Sequence, residues 1–170
     1  MSVDARDVLD EFASRPIETA RRFADKLAAD TLNAHPGGHD NSIAWLLWHT
    51  AREIDVQVAA LSSSDEVWSS QGFDTRFDLG EVGNSVGYGH SSAEARAVVV
   101  DDATLLLDYL RATTDALRSY IRSLAPDALG EVIDEDWDPP VTRAARIVSI
   151  IDDAAQHIGQ AAYAAGIARG

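Results

Sequence analysis

Two histidines in this sequence each stand one helical turn from a carboxylate: His49 with Glu53, and His157 with Asp153. Neutral imidazole and carboxylate are both ligands for a divalent ion. An Asp-x-x-x-His pair on adjacent turns of one helix is the spacing by which helical bundles present ligands to a shared interior ion. At about 100° per residue His49 falls between Trp45 and Leu46 and near Val56 and Ala60, and His157 is surrounded by Ile150, Ala154, Ala161 and Ala164. Both rings are therefore expected to lean into an apolar interior. The same residues have a plainer reading, in which each imidazole is a hydrogen-bonded core residue and Asp153 with His157 is a local i, i+4 polar pair. Two inward histidines on different helices add weight to the ion without deciding the matter.

The remaining reactive side chains are subordinate to that pair. His35 and His39 flank a Pro-Gly-Gly loop and are expected in solvent. His90, in Gly87-Tyr-Gly-His90, could cover the mouth of a site, and either it or Glu53 could assist proton transfer. Trp45, Trp48 and Trp68 either line a pocket or fill the core. The chain has no cysteine, which excludes disulfides, thiolate metal ligands and a cysteine nucleophile, so any thiol chemistry needs an external thiol.

Helices must position these groups. Val8, Phe12, Ile17, Ala20, Phe23 and Leu27 recur at helical spacing and predict a first helix over Val3 to Ala29, with Pro16 as its weak point, open to a kink or to a split into two pieces. The turn formers from His35 to Ser42 feed a second helix from Ile43 to Leu61. A long irregular stretch, Asp65 to Ser92, reads as a crossover pinned by Trp68, Phe73, Phe77 and Tyr88. A third helix carries Ala103, Leu106, Leu110, Thr113, Leu117, Tyr120 and Leu124 at alternating three- and four-residue steps and stops at Pro126. After an acidic segment, Glu131 to Asp138, Trp137 is expected to staple the loop to the bundle. Thr142 then caps a fourth helix with Val148, Ile151, Ala155, Ile158, Ala162 and Ala165 as its seam. With no convincing strand run and no internal repeat, the chain reads as one all-α domain over residues 1–170, a four-helix bundle with the crossover between helices two and three.

Composition narrows the function. At 170 residues, 46% hydrophobic and 25% charged, the chain can bury a core. A formal charge of −14 with no clustered Lys/Arg repels phosphate backbones, so no nucleic-acid binding is expected. No signal peptide or membrane span is legible, and a cytoplasmic location with no membrane partner follows as the expectation. Phosphate loops, dinucleotide glycine motifs and Gly-x-Ser-x-Gly elbows are missing.

Four phrases, Asn41-Ser-Ile-Ala-Trp-Leu-Leu-Trp-His49, Gly87-Tyr-Gly-His90, Trp137-Asp-Pro-Pro-Val-Thr142 and Asp153-Ala-Ala-Gln-His-Ile-Gly-Gln-Ala-Ala-Tyr163, resemble the DinB-like superfamily, and within it the branch related to mycothiol-dependent maleylpyruvate isomerases. The resemblance spans nearly the whole chain. It implies a divalent ion, zinc or nickel, held by a histidine of helix two and a ligand-x-x-x-His pair of a later helix, positions that map to His49, Asp153 and His157. Many members carry histidine where this chain has Asp153, whereas the mycothiol-dependent isomerases carry a carboxylate. The resemblance further implies a homodimer and a metal-dependent transferase or isomerase using a low-molecular-weight thiol such as mycothiol. The competing expectation is a non-catalytic bundle that binds or sequesters a small ligand.

Overall fold

Side-chain oxygens that take up the orphan N–H groups of a first turn decide where the long helices start. Asp4 forms a capping box with Asp7, Ser42 accepts from the Trp45 N–H, Asp102 accepts from Thr104 and Leu105, and Thr142 accepts from Ala145. The structure, a computed structural model, describes residues 3–168. In chain order its helices are α1 (Ala5–Arg22), α2 (Ala29–Leu32), α3 (Ile43–Ser62), α4 (Val67–Ser70), α5 (Phe73–Phe77), α6 (Ser92–Ala97), α7 (Ala103–Ser123) and α8 (Arg143–Ile167). The long helices α1, α3, α7 and α8 form the four-helix bundle. Both α1 and α3 pack on α7 and on α8, which puts α1 and α3 at opposite corners. Leu47, Trp48, Leu106, Leu110, Ile147 and Ile150 are almost completely buried where these helices meet. Each such side chain contributes about 1.5–3 kcal/mol of burial free energy. Among the described residues, no helix is long and apolar enough to cross a membrane.

Several elements depart from the sequence reading. The first helix runs through Pro16 and stops at Arg22, and a short 3-10 turn, Ala24–Lys26, then leads to α2. Pro16 is buried, and Phe12, whose carbonyl it leaves without a helical donor, lies on the exposed side, where water can substitute. The buried stripe is Leu9, Ala13, Ile17 and Ala20, so Val8 and Phe12 fall outside it. On α8 the buried stripe is Ile147, Ile150, Ile151, Ala154, Ile158, Ala161 and Ala165, leaving Val148 exposed and Ala155 and Ala162 half-buried. Trp137 is 65% exposed and staples nothing, because the acidic segment is held instead by an antiparallel pair of strands, β1 (Val132–Asp134) and β2 (Val141–Thr142). Strands of three and two residues carry too little alternation to be visible in a sequence.

The crossover is not structureless. It holds α4, α5 and a 3-10 turn at Gly80–Asn84, and Trp68, Phe73 and Phe77 pack around Tyr109 of α7 with ring centroids 4.7–5.7 Å from it. Tyr88, by contrast, is 87% exposed and pins nothing. The start of the crossover is fastened by Asp55 of α3, whose carboxylate accepts from the Val67 and Trp68 N–H groups and from the Tyr109 hydroxyl, at 2.6–2.7 Å. Burial pushes this carboxyl up, against the pull of those three donors and the neighbouring Arg52. Its far end is fastened by Arg52, which donates from Nε to the Ser85 carbonyl at 3.2 Å and also pairs with Glu66 at 2.7 Å.

Candidate metal centre

The turn after Ser85 sets the orientation of His49. His49 is buried on α3, and its ring stacks on Trp45 at a centroid distance of 4.4 Å. Its Nδ1 bonds to the Val86 carbonyl. A carbonyl only accepts, so Nδ1 carries the proton and Nε2 keeps its lone pair. Gly87 makes the approach possible. With φ +92° it sits so close that a Cβ would meet His49 Nδ1 at 2.7 Å and the Trp45 and Trp48 rings at 3.1 Å.

His157 is fixed in the same sense by a different partner. Its Nδ1 lies 3.1 Å from Gln160 Oε1, one turn further along α8, and its Nε2 lies 3.5 Å from Asp153 Oδ1. The two imidazoles face each other with centroids 4.8 Å apart and planes at 72°. One donor atom from each of His49, Asp153 and His157 lies within 4.8 Å of the other two. Two zinc-type bonds place their donor atoms within about 4 Å of each other at an ion, so small side-chain adjustments close the set. The donor chemistry fits as well: each imidazole has its outer nitrogen committed to an acceptor, the arrangement that fixes the tautomer of metal-ligating histidines.

The charges around the trio follow from the same contacts. Hydrogen bonding from His157 holds the Asp153 carboxyl below the usual carboxylate range, and Asp153 in turn raises the His157 imidazole. Burial lowers His49, favouring the neutral ring a ligand must be. Glu53 faces the same cavity of about 500 Å³, with Gln57, Ser149, Asn41 and Tyr88 around the rim. Burial and the nearby Asp153 raise its carboxyl.

His90 lines the cavity but has no free nitrogen. The Trp45 indole, a pure donor, points at His90 Nδ1 at 3.2 Å, so the proton of the neutral ring is on Nε2 and donates to Ser85 Oγ at 2.7 Å. The Ser85 hydroxyl in turn donates to the Val82 carbonyl at 2.8 Å. His90 is therefore a brace for the crossover turn, and of the two proton-transfer candidates Glu53 is the one left open to the cavity, its Oε2 taking a single long bond of 3.4 Å from Gln57 Nε2. His39 is exposed as expected, whereas His35 is half-buried and bonds to the His39 carbonyl at 2.9 Å. Trp48 and Trp68 are core residues, and Trp45 serves both core and cavity.

The sequence model of the DinB superfamily matches residues 14–161. The chain belongs to the DinB superfamily. A solved structure of a conserved protein from Enterococcus faecalis is similar to it, with 37% identity, 96% of each chain covered and a TM-score of 0.88. No curated protein matches the chain. In this DinB-superfamily bundle the trio legible in the sequence converges on one cavity, while the groups that orient it were not assigned. Gln160 had a readable signal, a polar side chain three residues after His157 and so over the same face. Val86 had none, because a backbone carbonyl carries no sequence signature.

Proposed function

We propose that this protein holds one divalent ion, zinc or nickel, on His49, Asp153 and His157, and uses it in a transferase or isomerase reaction of a low-molecular-weight thiol of the mycothiol kind. The observation that carries the ion is the pair of histidines whose outer nitrogens are both committed and which each bring a donor atom within 4.8 Å of one carboxylate, that of Asp153. Three protein ligands leave a position open, as catalytic rather than structural sites do. When bound, such an ion supplies Lewis acidity that lowers the pKa of a thiol reaching it. His49 and His157 act as ligands, Trp45 keeps water from one face of His49, and Glu53, with its raised carboxyl, takes up the proton a thiol gives off. An external thiol also fits a chain without cysteine. A homodimer remains the assembly expected from the family resemblance.

The second reading, a bundle that binds a small ligand without turning it over, draws on His90, whose two nitrogens are both occupied and which offers no second acid or base.

Metal content after purification without added metal, followed by turnover of an electrophile with and without a small thiol, separates the two. One ion per chain and thiol-dependent turnover support the enzyme, and one ion without turnover supports the binding protein. His49→Ala and His157→Ala should each abolish bound metal, and wild-type stoichiometry in either variant refutes the ligand set.

A further inference from the structure

Beside the histidine cavity lies a second hollow of about 470 Å³, between the turn at Pro36–Gly38 and the last two turns of α8. Its lining is more apolar. Pro36, Leu46, Tyr163, Ala164 and Ile167 supply an apolar wall, and Tyr163 and Ile167 remain 74% and 48% exposed. Asn41 is a wall of both hollows. Gln160 also joins them, because the side chain that fixes His157 lines the apolar hollow too.

We propose that the ligand of this site is an amphiphile, with an anionic metal-binding head among His49, Asp153 and His157 and an apolar arm lying across Asn41 in the hollow lined by Leu46, Tyr163 and Ile167. The inference rests on the ion-binding reading above. Its own support is that the two hollows adjoin at Asn41, which lines both, and that the second is the more apolar. Each also falls within the ~300–1,000 Å³ typical of small-molecule sites. A second copy of the chain is the poorer occupant. The hollow is concave, and its two exposed large side chains are a small patch beside the ~800 Å² per partner that a stable association buries.

The test uses zinc and a homologous series of n-alkyl hydroxamates, from acetohydroxamate to octanohydroxamate, titrated calorimetrically into the full-length protein. Zinc binding is measured first and alone. With zinc bound, affinity should rise about two- to fourfold per added methylene until the hollow is filled. The double variant Tyr163→Ser, Ile167→Ser should flatten that rise while leaving zinc stoichiometry and acetohydroxamate affinity unchanged. Zinc binding with equal affinity for short and long members overturns the arm and leaves the metal site standing. A rise that survives in the double variant places the arm elsewhere and overturns the assignment. A flat series together with dissociation of a dimer by the double variant gives the hollow to a second copy. Failure to bind zinc removes the ion-binding reading, and the amphiphile proposal with it.

Discussion

The Nδ1 of His49 bonds to the carbonyl of Val86, thirty-seven residues further along the chain, so the crossover and not α3 decides which nitrogen of that ring faces the cavity. His157 has its partner three residues away on its own helix. The two rings are thus oriented by independent devices, one long-range and one local, and each can be removed without touching the other.

Gly87→Ala removes the first device. A Cβ there has no room beside His49, Trp45 and Trp48, and φ +92° is strained for any side chain. The turn must lift away from α3 and take the Val86 carbonyl with it. Zinc affinity should fall by about 10–100-fold, the usual effect of losing an outer-shell partner, and stability by about 1–3 kcal/mol. Zinc competition against a chromophoric chelator and urea unfolding read the two effects, and unchanged values in both would show that the approach is not tight.

Gln160→Leu removes the second. Gln160 is exposed, so the unfolding midpoint should not move, while zinc affinity should drop by about 10–100-fold. Gln160→Glu keeps an acceptor for His157 Nδ1–H and should retain affinity. Wild-type zinc binding in the leucine variant would leave Gln160 without a positioning role.

These two variants mark where reading the sequence stopped. The helical period brought out two pairs, His49 with Glu53 and Asp153 with His157, the family resemblance picked His49, Asp153 and His157 from them, and the capping residues Ser42 and Thr142 fixed where their helices begin. Phase within a helix was less secure. Val148 and Phe12 sit one position from Ile147 and Ala13, and a 100° rotation between an exposed and a buried residue is hard to resolve when both neighbours are apolar. The buried Arg52, Asp55 and Tyr109 were not recognised as a network. Nothing in their spacing announces a carboxylate turned inward to hold backbone N–H groups twelve and thirteen residues later.

That network should be costly to cut. Tyr109→Phe deletes one donor to a buried carboxylate and should cost about 1.5–3 kcal/mol. Asp55→Ala strands two backbone donors and the Tyr109 hydroxyl, and leaves the Arg52 guanidinium, itself only 3% exposed, with Glu66 as its one remaining carboxylate, and should cost about 3–5 kcal/mol. Urea unfolding measures both. A smaller loss for Asp55→Ala than for Tyr109→Phe would mean that the crossover is fastened elsewhere.

Acid should destabilise the bundle partly through Asp10. Its carboxylate accepts from Arg118 and Arg122 at 2.8–3.0 Å, tying α1 to α7, and the Arg118 bond above all holds it below the ordinary carboxylate range. A folded-state value below the unfolded one gives stability that is fully present above the ordinary carboxylate pKa, about 4, and is lost as pH falls through the depressed value. Asp10→Asn should therefore lower stability at neutral pH and flatten its dependence on pH below about 4. Parallel acid limbs for wild type and variant would assign the loss to other carboxylates.

The crossover behaves like a strap riveted at both ends, to Asp55 at Val67–Trp68 and to Arg52 and His49 at Ser85–Val86. Between the rivets, Phe73 and Phe77 reach the bundle, while Asp78, Gly80 and Glu81 lie in solvent. Length is therefore free to drift in the middle of the strap without moving either rivet. Lengthening around Asp78–Glu81 would spare the geometry of His49, Asp153 and His157, whereas a single added residue between Ser85 and His90 would unseat His49 and the brace at His90 together.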